Sequence, residues 1–419
     1  MRLYKHHLLK IKFTFLIIAT LCVNSSACTI FYLSNDSLIL AGNNEDWKDP
    51  ASKMWFYPGE QGKLGWVKFG WGSGFPQGGI NEKGLFWDAT SGPYLAMPDA
   101  ESHKEKYPGP LMQKIIEECA DVEDAKFVLS GYYCEDQYKA QYLIGDAGHH
   151  AVIVEGDSII TMSDDYLILT NFYHSHPELG GYPCWRYDLA KSIVEECGHY
   201  SAYVAGSILS ATHQEGKYPT QYSQIYDLIN LQFYLFYYHN YEEFILINLN
   251  NELKKGPRSF DIPGLFAGIT LSEPEETDIV APGQVGFTWT GKAGFSYELR
   301  YSTDPEFSEY GSSHVKAKRR EAKGNLIYLY LLAGFILPAF LIRKKGRRLI
   351  PGLLLVIGLS TIHCTKEENP EVNNPEIITL TVTGLQPATT YFWKVCAHPI
   401  ESYEFQSETV IKQFTTSTE

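Results

Sequence analysis

Short apolar runs separated by polar turns fill the chain from Thr29 to about Leu265. Thr29–Leu33 and Leu38–Gly42 flank the polar turn Ser34–Ser37, and this pattern predicts a β-hairpin. Apolar residues at helical spacing predict helices over Leu111–Leu129 and Tyr187–Glu196. Further strands are predicted at Gln141–Gly145, Ala151–Glu155, Ser158–Met162, Tyr166–Thr170, Gln221–Leu228, Phe233–Tyr238 and Phe244–Asn248, the first four of them as consecutive antiparallel strands. Hairpins with helices inserted as blocks favour a layered α+β domain over a parallel sheet.

A different pattern begins near Leu271, where Ser272–Glu276 forms a polar linker. Gly286–Trp289 and Tyr297–Tyr301 predict strands of a small β-sandwich. Far downstream, Gly384–Val395 has the sequence GLQPATTYFWKV, which resembles the Gly-Leu-x-Pro-x-Thr-x-Tyr-x-Trp/Phe-x-Val signature of fibronectin type III domains. The resemblance implies an all-β module assembled from residues 269–315 and 372–419, with Trp289 at its buried tryptophan position.

Two uncharged runs, Gly324–Ile342 and Leu349–Thr365, lie between the halves of that module and flank the basic segment Arg343–Arg348. A basic loop between two apolar segments is typical of a membrane hairpin with a cytoplasmic turn. We therefore predict a helical membrane hairpin over residues 324–365, with both halves of the module on the outer side. The alternative is that Arg347–Cys364 is a lipoprotein-like signal joined in by rearrangement.

Residues 1–27 have the features of a secretory signal peptide: basic residues at the start, the apolar run Phe13–Val23, and small residues at Ser25 and Ala27. Cleavage after Ala27 would make Cys28 the first residue and export the protein. The alternatives are an uncleaved anchor and a lipoprotein signal that adds lipid to Cys28.

Composition narrows the possible functions. Of the 419 residues, 44% are hydrophobic and 20% charged, which is typical of a globular protein. The formal charge of −14 argues against nucleic-acid binding, because no basic surface is available to replace counterions. The eight cysteines contain no CxxC pair and specify no disulfide framework, so no metal site and no cofactor are predicted. His174 and His176 lack a third ligand at suitable spacing, and we interpret them and His149-His150 as loop histidines.

An N-terminal Cys28 would carry a thiol and a free α-amine on one residue. Thiols titrate near pH ~8.5 and α-amines near ~7.7–8.0. The amine can therefore accept the thiol proton at neutral pH and later return it to a leaving nitrogen. Without further evidence, a structural or disulfide-bonded cysteine remains the alternative.

Cys28-Thr29-Ile30-Phe31, followed after the hairpin by the run Gly42–Trp47 (GNNEDW), resembles the start of cysteine-type N-terminal-nucleophile (Ntn) hydrolases. This group includes choloylglycine hydrolases, penicillin V acylases, acid ceramidase and isopenicillin N acyltransferase. The resemblance implies that Asp46 orients the α-amine and that Asn44 matches the family Asn. Asn43 stands where the family usually has Arg, so the guanidinium expected beside the thiol is absent.

Further matches follow in the family's order. Gly79–Leu85, which contains Asn81, resembles its Gly-Met/Leu-Asn-Glu-x-Gly-Leu turn, and Pro219–Tyr238 resembles its late strand pair. Leu169–Phe172 resembles its Leu-Thr-Asn motif, which implies that Asn171 donates to the oxyanion, an interaction worth roughly 3–4 kcal/mol. Arg186 resembles the Arg that follows this Asn, where it would neutralise Asp46 or a substrate carboxyl; the alternative is a helix-surface Arg.

The resemblance implies a four-layer αββα catalytic domain over residues 28–268, with Cys28, Asp46, Asn171 and Arg186 as catalytic residues. Asn43, Asn44 and Asn81 are then expected to bind substrate or support the site. The expected activity is hydrolysis of a small linear amide by an exported, membrane-tethered enzyme that faces outward. The alternatives are an acyltransferase with the same nucleophile, and a non-catalytic surface protein that binds through its fibronectin-like module.

Overall fold

The computed structural model describes residues 28–72, 74–316, 376–400 and 405–418. The predicted signal peptide, residues 1–27, and the predicted membrane hairpin, residues 324–365, lie outside the described residues. Within the described ranges, no helix is both long enough and apolar enough to span a membrane.

The strands in chain order are β1 (Thr29–Asn35), β2 (Leu38–Asp46), β3 (Ser52–Tyr57), β4 (Trp66–Trp71), β5 (Pro76–Asn81), β6 (Phe86–Ser91), β7 (Glu105–Lys106), β8 (Tyr132–Tyr133), β9 (Ala140–Gly145), β10 (Ala151–Glu155), β11 (Ser158–Thr161), β12 (Tyr166–Leu169), β13 (Thr220–Asp227), β14 (Gln232–Tyr237), β15 (Asn240–Asn248), β16 (Arg258–Asp261), β17 (Thr270–Glu273), β18 (Ile279–Val280), β19 (Gln284–Gly291), β20 (Phe295–Ser302), β21 (Gly311–Lys316), β22 (Glu376–Thr383), β23 (Thr390–Pro399), β24 (Ser407–Thr409) and β25 (Lys412–Thr416). The helices are α1 (Pro98–His103), α2 (Leu111–Glu118), α3 (Val122–Gly131), α4 (Trp185–Glu196), α5 (Ala202–Thr212), α6 (Leu249–Leu253) and α7 (Ile262–Leu265).

The first sheet begins with the predicted hairpin, which is confirmed. β1 pairs antiparallel with β2, and the Asn35 side chain closes the turn by accepting hydrogen bonds from the backbone N–H groups of Ser37 and Leu38. The strand order is β12-β1-β2-β13-β14-β15, and every neighbouring pair is antiparallel. This order places β1 and β2, which carry the segments that resemble the start of Ntn hydrolases, inside the sheet and away from its edges.

The second sheet is also antiparallel and has the order β11-β10-β9-β6-β5-β4-β3-β16. The prediction that β9 to β12 are consecutive neighbours is correct for β9, β10 and β11 but wrong for β12, which crosses over and pairs with β1 in the first sheet. That crossover carries the chain to the N-terminal strand, and Asn171 lies just beyond it.

The first domain is a stack of helices, sheet, sheet and helices, as expected for a layered α+β fold. One hydrophobic core lies between the two sheets and includes Ile30, Phe69, Ile153 and Tyr226. A second core lies between α4, α5 and the outer face of the first sheet. A third lies between α2, α3 and the outer face of the second sheet.

The prediction of one helix over Leu111–Leu129 is wrong, because the segment forms two helices, α2 and α3. Asp121 starts the second helix by accepting a hydrogen bond from the backbone N–H of Asp124, and Asp146 accepts one from the N–H of Val122. A capped N-terminus stabilises a new helix at this point. The apolar spacing continues across the break, so the periodicity alone does not reveal it.

The C-terminal part is a β-sandwich. A sheet of β17, β19 and β22 faces a second sheet in which β21, β20 and β23 are followed by β24 and β25. Trp289 and Trp393 are fully buried in its core, which also contains Ala267 and Ile269. The two chain segments 269–316 and 376–418 therefore share one core, while the likeness to fibronectin type III domains stays a prediction.

The sandwich is joined to the first domain by a continuous sheet and by a buried carboxylate. β24 pairs with β15, the edge strand of the first sheet. Glu243 in β15 accepts hydrogen bonds from the backbone N–H groups of Ala267 and Ile269, both at 2.8 Å, and from the Ser407 hydroxyl at 2.6 Å. This side chain is 1% exposed, so its acceptors satisfy donors that solvent does not reach.

We expect Glu243→Ala to lower the free energy of unfolding by about 2–4 kcal/mol, because it leaves buried donors unsatisfied at the junction. Urea titration followed by tryptophan fluorescence would measure the change. Glu276→Ala, at an exposed position in the linker region, is the control. Equal stability of the two variants would contradict a structural role for Glu243.

Candidate active site

Cys28 lies at the start of β1 on the wall of a large cavity. The register pairs Thr29 with Asn44, which brings Cys28 opposite Glu45 on the neighbouring strand. The thiol is 6% exposed and lines a cavity of about 870 Å³. Further lining residues are Glu45, Asp46, Trp47, Trp71, Phe75, Gln77, Ala89, Thr90, Ser91, Tyr94, Lys106, Glu135, Asp136, Tyr138, Lys139, Ala140 and Tyr142.

Asp46, the carboxylate expected to orient the α-amine, lies beside Cys28 in the cavity wall. One oxygen accepts a hydrogen bond from the Thr220 hydroxyl, and the other accepts one from Gln214 Nε2 at 2.6 Å. Burial raises the pKa of Asp46 to about 7, although Thr220, Arg186 and Gln214 each lower it. These two hydrogen bonds fix the Asp46 carboxyl in the cavity wall that Cys28 also lines.

Glu45 is a functional candidate that the sequence analysis missed. Its Oε1 accepts a hydrogen bond from the Cys28 thiol, with 3.7 Å between sulfur and oxygen, and its Oε2 accepts one from Asn43 Nδ2 at 3.3 Å. Burial, with the charge of Asp46 next, raises the pKa of Glu45 to about 8. The strand period could have revealed it, because Ile39, Ala41, Asn43 and Glu45 alternate onto the face of β2 that faces the second sheet.

The Cys28 thiol lies among acidic groups. Burial and then the charges of Glu45 and Asp46 raise the pKa of Cys28 well above its ordinary value, and Asp88 adds to the rise. A hydrogen bond from the Asp46 backbone lowers it. In the full-length chain residue 28 carries a peptide nitrogen, so no ammonium offsets these charges. The thiol is therefore held neutral until a positive charge or a proton acceptor acts on it.

Arg186 is buried at the start of α4 and connects two parts of the site. Its Nη1 donates to the carbonyl of Cys28 and to the Thr29 hydroxyl, and its Nη2 donates to Asn171 Oδ1 at 3.1 Å. At 4% exposure it is not a helix-surface residue. Its charge lowers the pKa of Asp46, in keeping with one of the two roles expected for it.

Asn171 lies two residues after the end of β12 and contacts two residues of the cavity wall. Its Oδ1 faces Arg186, which fixes the amide so that Nδ2 donates to Thr90 Oγ1 at 2.7 Å and to the Ser91 carbonyl at 2.8 Å. Both hydroxyl residues line the cavity. To donate to an oxyanion, Asn171 must exchange one of these hydrogen bonds for the substrate oxygen.

The loop that carries Asn171 is held in place by a buried carboxylate of β10. Glu155 accepts hydrogen bonds from the backbone N–H groups of His174 and Ser175 at 2.8 and 2.9 Å. Gly180, with a φ of +91°, passes so close to Asn171 that a Cβ would lie 2.2 Å from the Asn171 carbonyl oxygen. The loop therefore requires glycine there.

The three remaining predicted residues lie in different places. Asn43 donates to Glu45, which also accepts a hydrogen bond from the Cys28 thiol. Asn44 points to the opposite face of β2, where it donates to the Leu209 carbonyl and the Thr212 hydroxyl of α5. Asn81 is outside the cavity lining: its Nδ2 donates to the carbonyls of Ile116 and Cys119 at the end of α2. These contacts support roles for Asn44 and Asn81 in holding helices against the sheets.

Within the described ranges, neither His174 nor any cysteine belongs to a cluster of metal-ligating side chains. The His174 ring stacks on Phe172 at 5.0 Å, and burial lowers its pKa. Within the described ranges, no cluster of three metal-ligating side chains occurs and every cysteine is a free thiol.

Neither a protein-family model nor a curated protein sequence matches the chain. Solved structures do match. A mutant of conjugated bile acid hydrolase from Clostridium perfringens is 16% identical, with a TM-score of 0.44, over 56% of this chain and 96% of that one. Penicillin V acylase from Agrobacterium tumefaciens is 13% identical, with a TM-score of 0.41, over 56% of this chain and 91% of that one. Because the sequence identities and the TM-scores are this low, the function has to be derived from the site itself.

The raised pKa values predict a pH-dependent stability. Unfolded Glu and Asp lose their protons near pH ~4, whereas folded Glu45 and Asp46 keep theirs to about 8 and about 7. Their stabilising contribution is therefore complete below pH ~4 and is lost as the pH rises through the folded values. We expect the uncleaved chain to lose stability between pH 5 and 8, and Glu45→Gln to flatten this slope.

Urea titrations at pH 5, 6, 7 and 8 would measure the slope, which approaches about 1.4 kcal/mol per pH unit for each group. Glu178→Gln, at an exposed loop position, is the control. An unchanged slope in Glu45→Gln would show that Glu45 titrates alike in the folded and unfolded states.

Proposed function

We propose that this chain is an exported cysteine amidohydrolase of the Ntn type, cleaved before Cys28, that hydrolyses a small linear amide. The observation that carries the proposal is the position of Cys28: it begins a central strand, lines a cavity of about 870 Å³ and lies among Asp46, Asn171 and Arg186. These residues come from separate parts of the sequence, and each matches the family motif that the sequence analysis identified.

Each side chain then has a role in acyl transfer. The Cys28 sulfur attacks the amide carbon. The α-amine released by cleavage is on the same residue as the sulfur and can transfer protons during the reaction. Asp46 holds the α-ammonium, while Arg186 fixes the Cys28 carbonyl and the Asn171 amide. Asn171 turns a donor from Thr90 or Ser91 to the oxyanion, and water then releases the acyl group.

The cavity favours an apolar or aromatic acyl group. Trp47, Trp71, Phe75, Tyr94 and Tyr138 line it together with Cys28. Tyr94 and Tyr138 stack with ring centroids 5.5 Å apart and an angle of 2° between the rings. Such walls provide buried apolar area for the acyl part, and the thiol lies among polar side chains.

We also propose that residues 324–365 tether the enzyme to a membrane, with its catalytic domain outside the cytoplasm. Support comes from the two uncharged runs and the basic segment between them, together with the apolar N-terminal signal.

Cys28→Ala is expected to lower amide hydrolysis at least ~10³-fold, because it removes the attacking atom. A panel of p-nitroanilides with phenylacetyl, phenoxyacetyl and octanoyl groups would measure the loss by absorbance, after sequencing has located the mature N-terminus. Cys197→Ala, a thiol remote from the cavity on the far end of α4, should retain full activity. Full amide cleavage by Cys28→Ala, or a mature N-terminus other than Cys28, would refute the proposal.

Tyr94→Ala is expected to raise KM for the phenoxyacetyl anilide about 5- to 30-fold, because an aromatic wall contact is lost, and to leave kcat within a few-fold. Steady-state kinetics with acetyl and phenoxyacetyl anilides would separate wall contact from general damage. Phe127→Ala, an exposed aromatic on α3, is the matched control. An equal effect on both substrates would contradict an acyl site at Tyr94.

A further inference from the structure

The carboxylate of Glu45 accepts a hydrogen bond directly from the thiol of Cys28, the proposed nucleophile. The thiol of Cys28 donates to Glu45 Oε1 across 3.7 Å, and Asn43 Nδ2 holds Oε2 at 3.3 Å, so the carboxylate is fixed with one oxygen toward the sulfur. Glu45 is 3% exposed and belongs to the cavity wall. The mechanism above gives this carboxylate no role.

Groups that titrate face Glu45 from each element packed against it. They are Cys28 on β1, Asp46 on its own strand, Asp88 on β6, Tyr222 and Tyr226 on β13 and, beyond Asp46, Arg186 on α4. Burial and the charge of Glu45 raise the pKa of Asp88, and both tyrosines have raised pKa values. Carboxyls therefore outnumber cations around the sulfur.

This excess of carboxyl groups disfavours the deprotonated form of the Cys28 thiol. Asn43 stands where the resemblance places a guanidinium, and burial, followed by the acidic neighbours, raises the pKa of the Cys28 thiol. Sulfur in such surroundings reacts most readily if its proton leaves as the new bond forms. A base that already accepts a hydrogen bond from the thiol meets this need, and Glu45 Oε1 lies 3.7 Å from the sulfur. Burial raises the pKa of Glu45, which makes its carboxylate a stronger base than an ordinary one.

We propose that Glu45 is the catalytic base for Cys28 and that it takes the Sγ proton on Oε1 while the sulfur attacks the amide carbon. The inference rests on the proposed function. The S–H bond breaks, the S–C bond forms, and the carbonyl π pair moves to oxygen. As the C–N bond breaks, the leaving nitrogen takes a proton from the α-ammonium of Cys28.

Deacylation restores every group. The α-amine, now neutral, accepts a proton from water as the water oxygen attacks the thioester carbon. The C–S bond then breaks, and the sulfur recovers its proton from protonated Glu45. One amide and one water become one acid and one amine, and Glu45 and the α-amine have exchanged roles between the two halves of the reaction.

The burst of p-nitrophenolate from p-nitrophenyl phenylacetate tests this assignment on the processed protein. The p-nitrophenolate leaving group needs no proton, so its burst reports thiol attack without the α-ammonium step. Stopped-flow measurements from pH 5 to 9 would compare the wild type with Glu45→Gln, Glu45→Asp and the exposed control Glu178→Gln. Near-UV circular dichroism checks folding.

In the wild type, the burst rate should rise with pH through the ionisation of Glu45. At pH 7.5, Glu45→Gln should be slower by about 100-fold and should lose this rise. Glu45→Asp, whose carboxylate is one methylene shorter, should keep the rise at a lower rate, and Glu178→Gln should stay within twofold of the wild type.

A burst in Glu45→Gln that equals or exceeds the wild-type burst overturns the inference. A charge that is merely nearby raises the pKa of Cys28, so its removal should accelerate attack. If Glu45→Gln does not fold, Glu45→Asp decides: a slower burst that keeps the pH rise supports the base, and an unchanged burst refutes it. Absence of a phenylacetyl adduct on wild-type Cys28 by mass spectrometry would instead refute the proposed function.

Discussion

The hydrogen bonds of Arg186 hold the site together. One buried guanidinium joins the carbonyl of Cys28, the hydroxyl of Thr29 and the amide oxygen of Asn171. A single cation thereby sets the distance between the proposed nucleophile and the proposed oxyanion donor. It can do so because β12 crosses between the sheets and pairs with β1, which brings the loop carrying Asn171 to the start of the chain's first described strand.

The charged side chains around Cys28 differ from those that the family resemblance leads one to expect. Where the resemblance leads one to expect Arg, there is Asn43, and the next inward-facing position of the strand is Glu45. Replacing a cation by an amide and adding a carboxylate changes how a thiol can be activated. In the proposed mechanism, proton transfer from Cys28 to Glu45 along a hydrogen bond replaces stabilisation of the thiolate by a cation. This arrangement buries several acidic side chains. Their pKa values are raised, because the effect of burial is larger than the opposing effect of their hydrogen bonds.

Local patterns predicted the fold better than they predicted the site. The β1–β2 hairpin followed from two short apolar runs and the polar turn Ser34–Ser37 between them, while the role of Cys28 stays a prediction. Glu45 was missed because the resemblance assigns roles to Asn44 and Asp46 but none to the residue between them, and only the strand period points to it. Asn81 matched a motif, yet its partners belong to α2, so its contacts depend on packing that no local pattern contains. The crossover of β12 is likewise a long-range pairing.

The continuous sheet also determines how the edge of the first domain is covered. Without the sandwich, β15 would be a free edge strand of the first sheet; its backbone groups at Glu243 and Phe244 pair with β24. Such edges recruit strands from other molecules. Pairing with β24 covers part of this edge, so the sandwich blocks the addition of a further strand there.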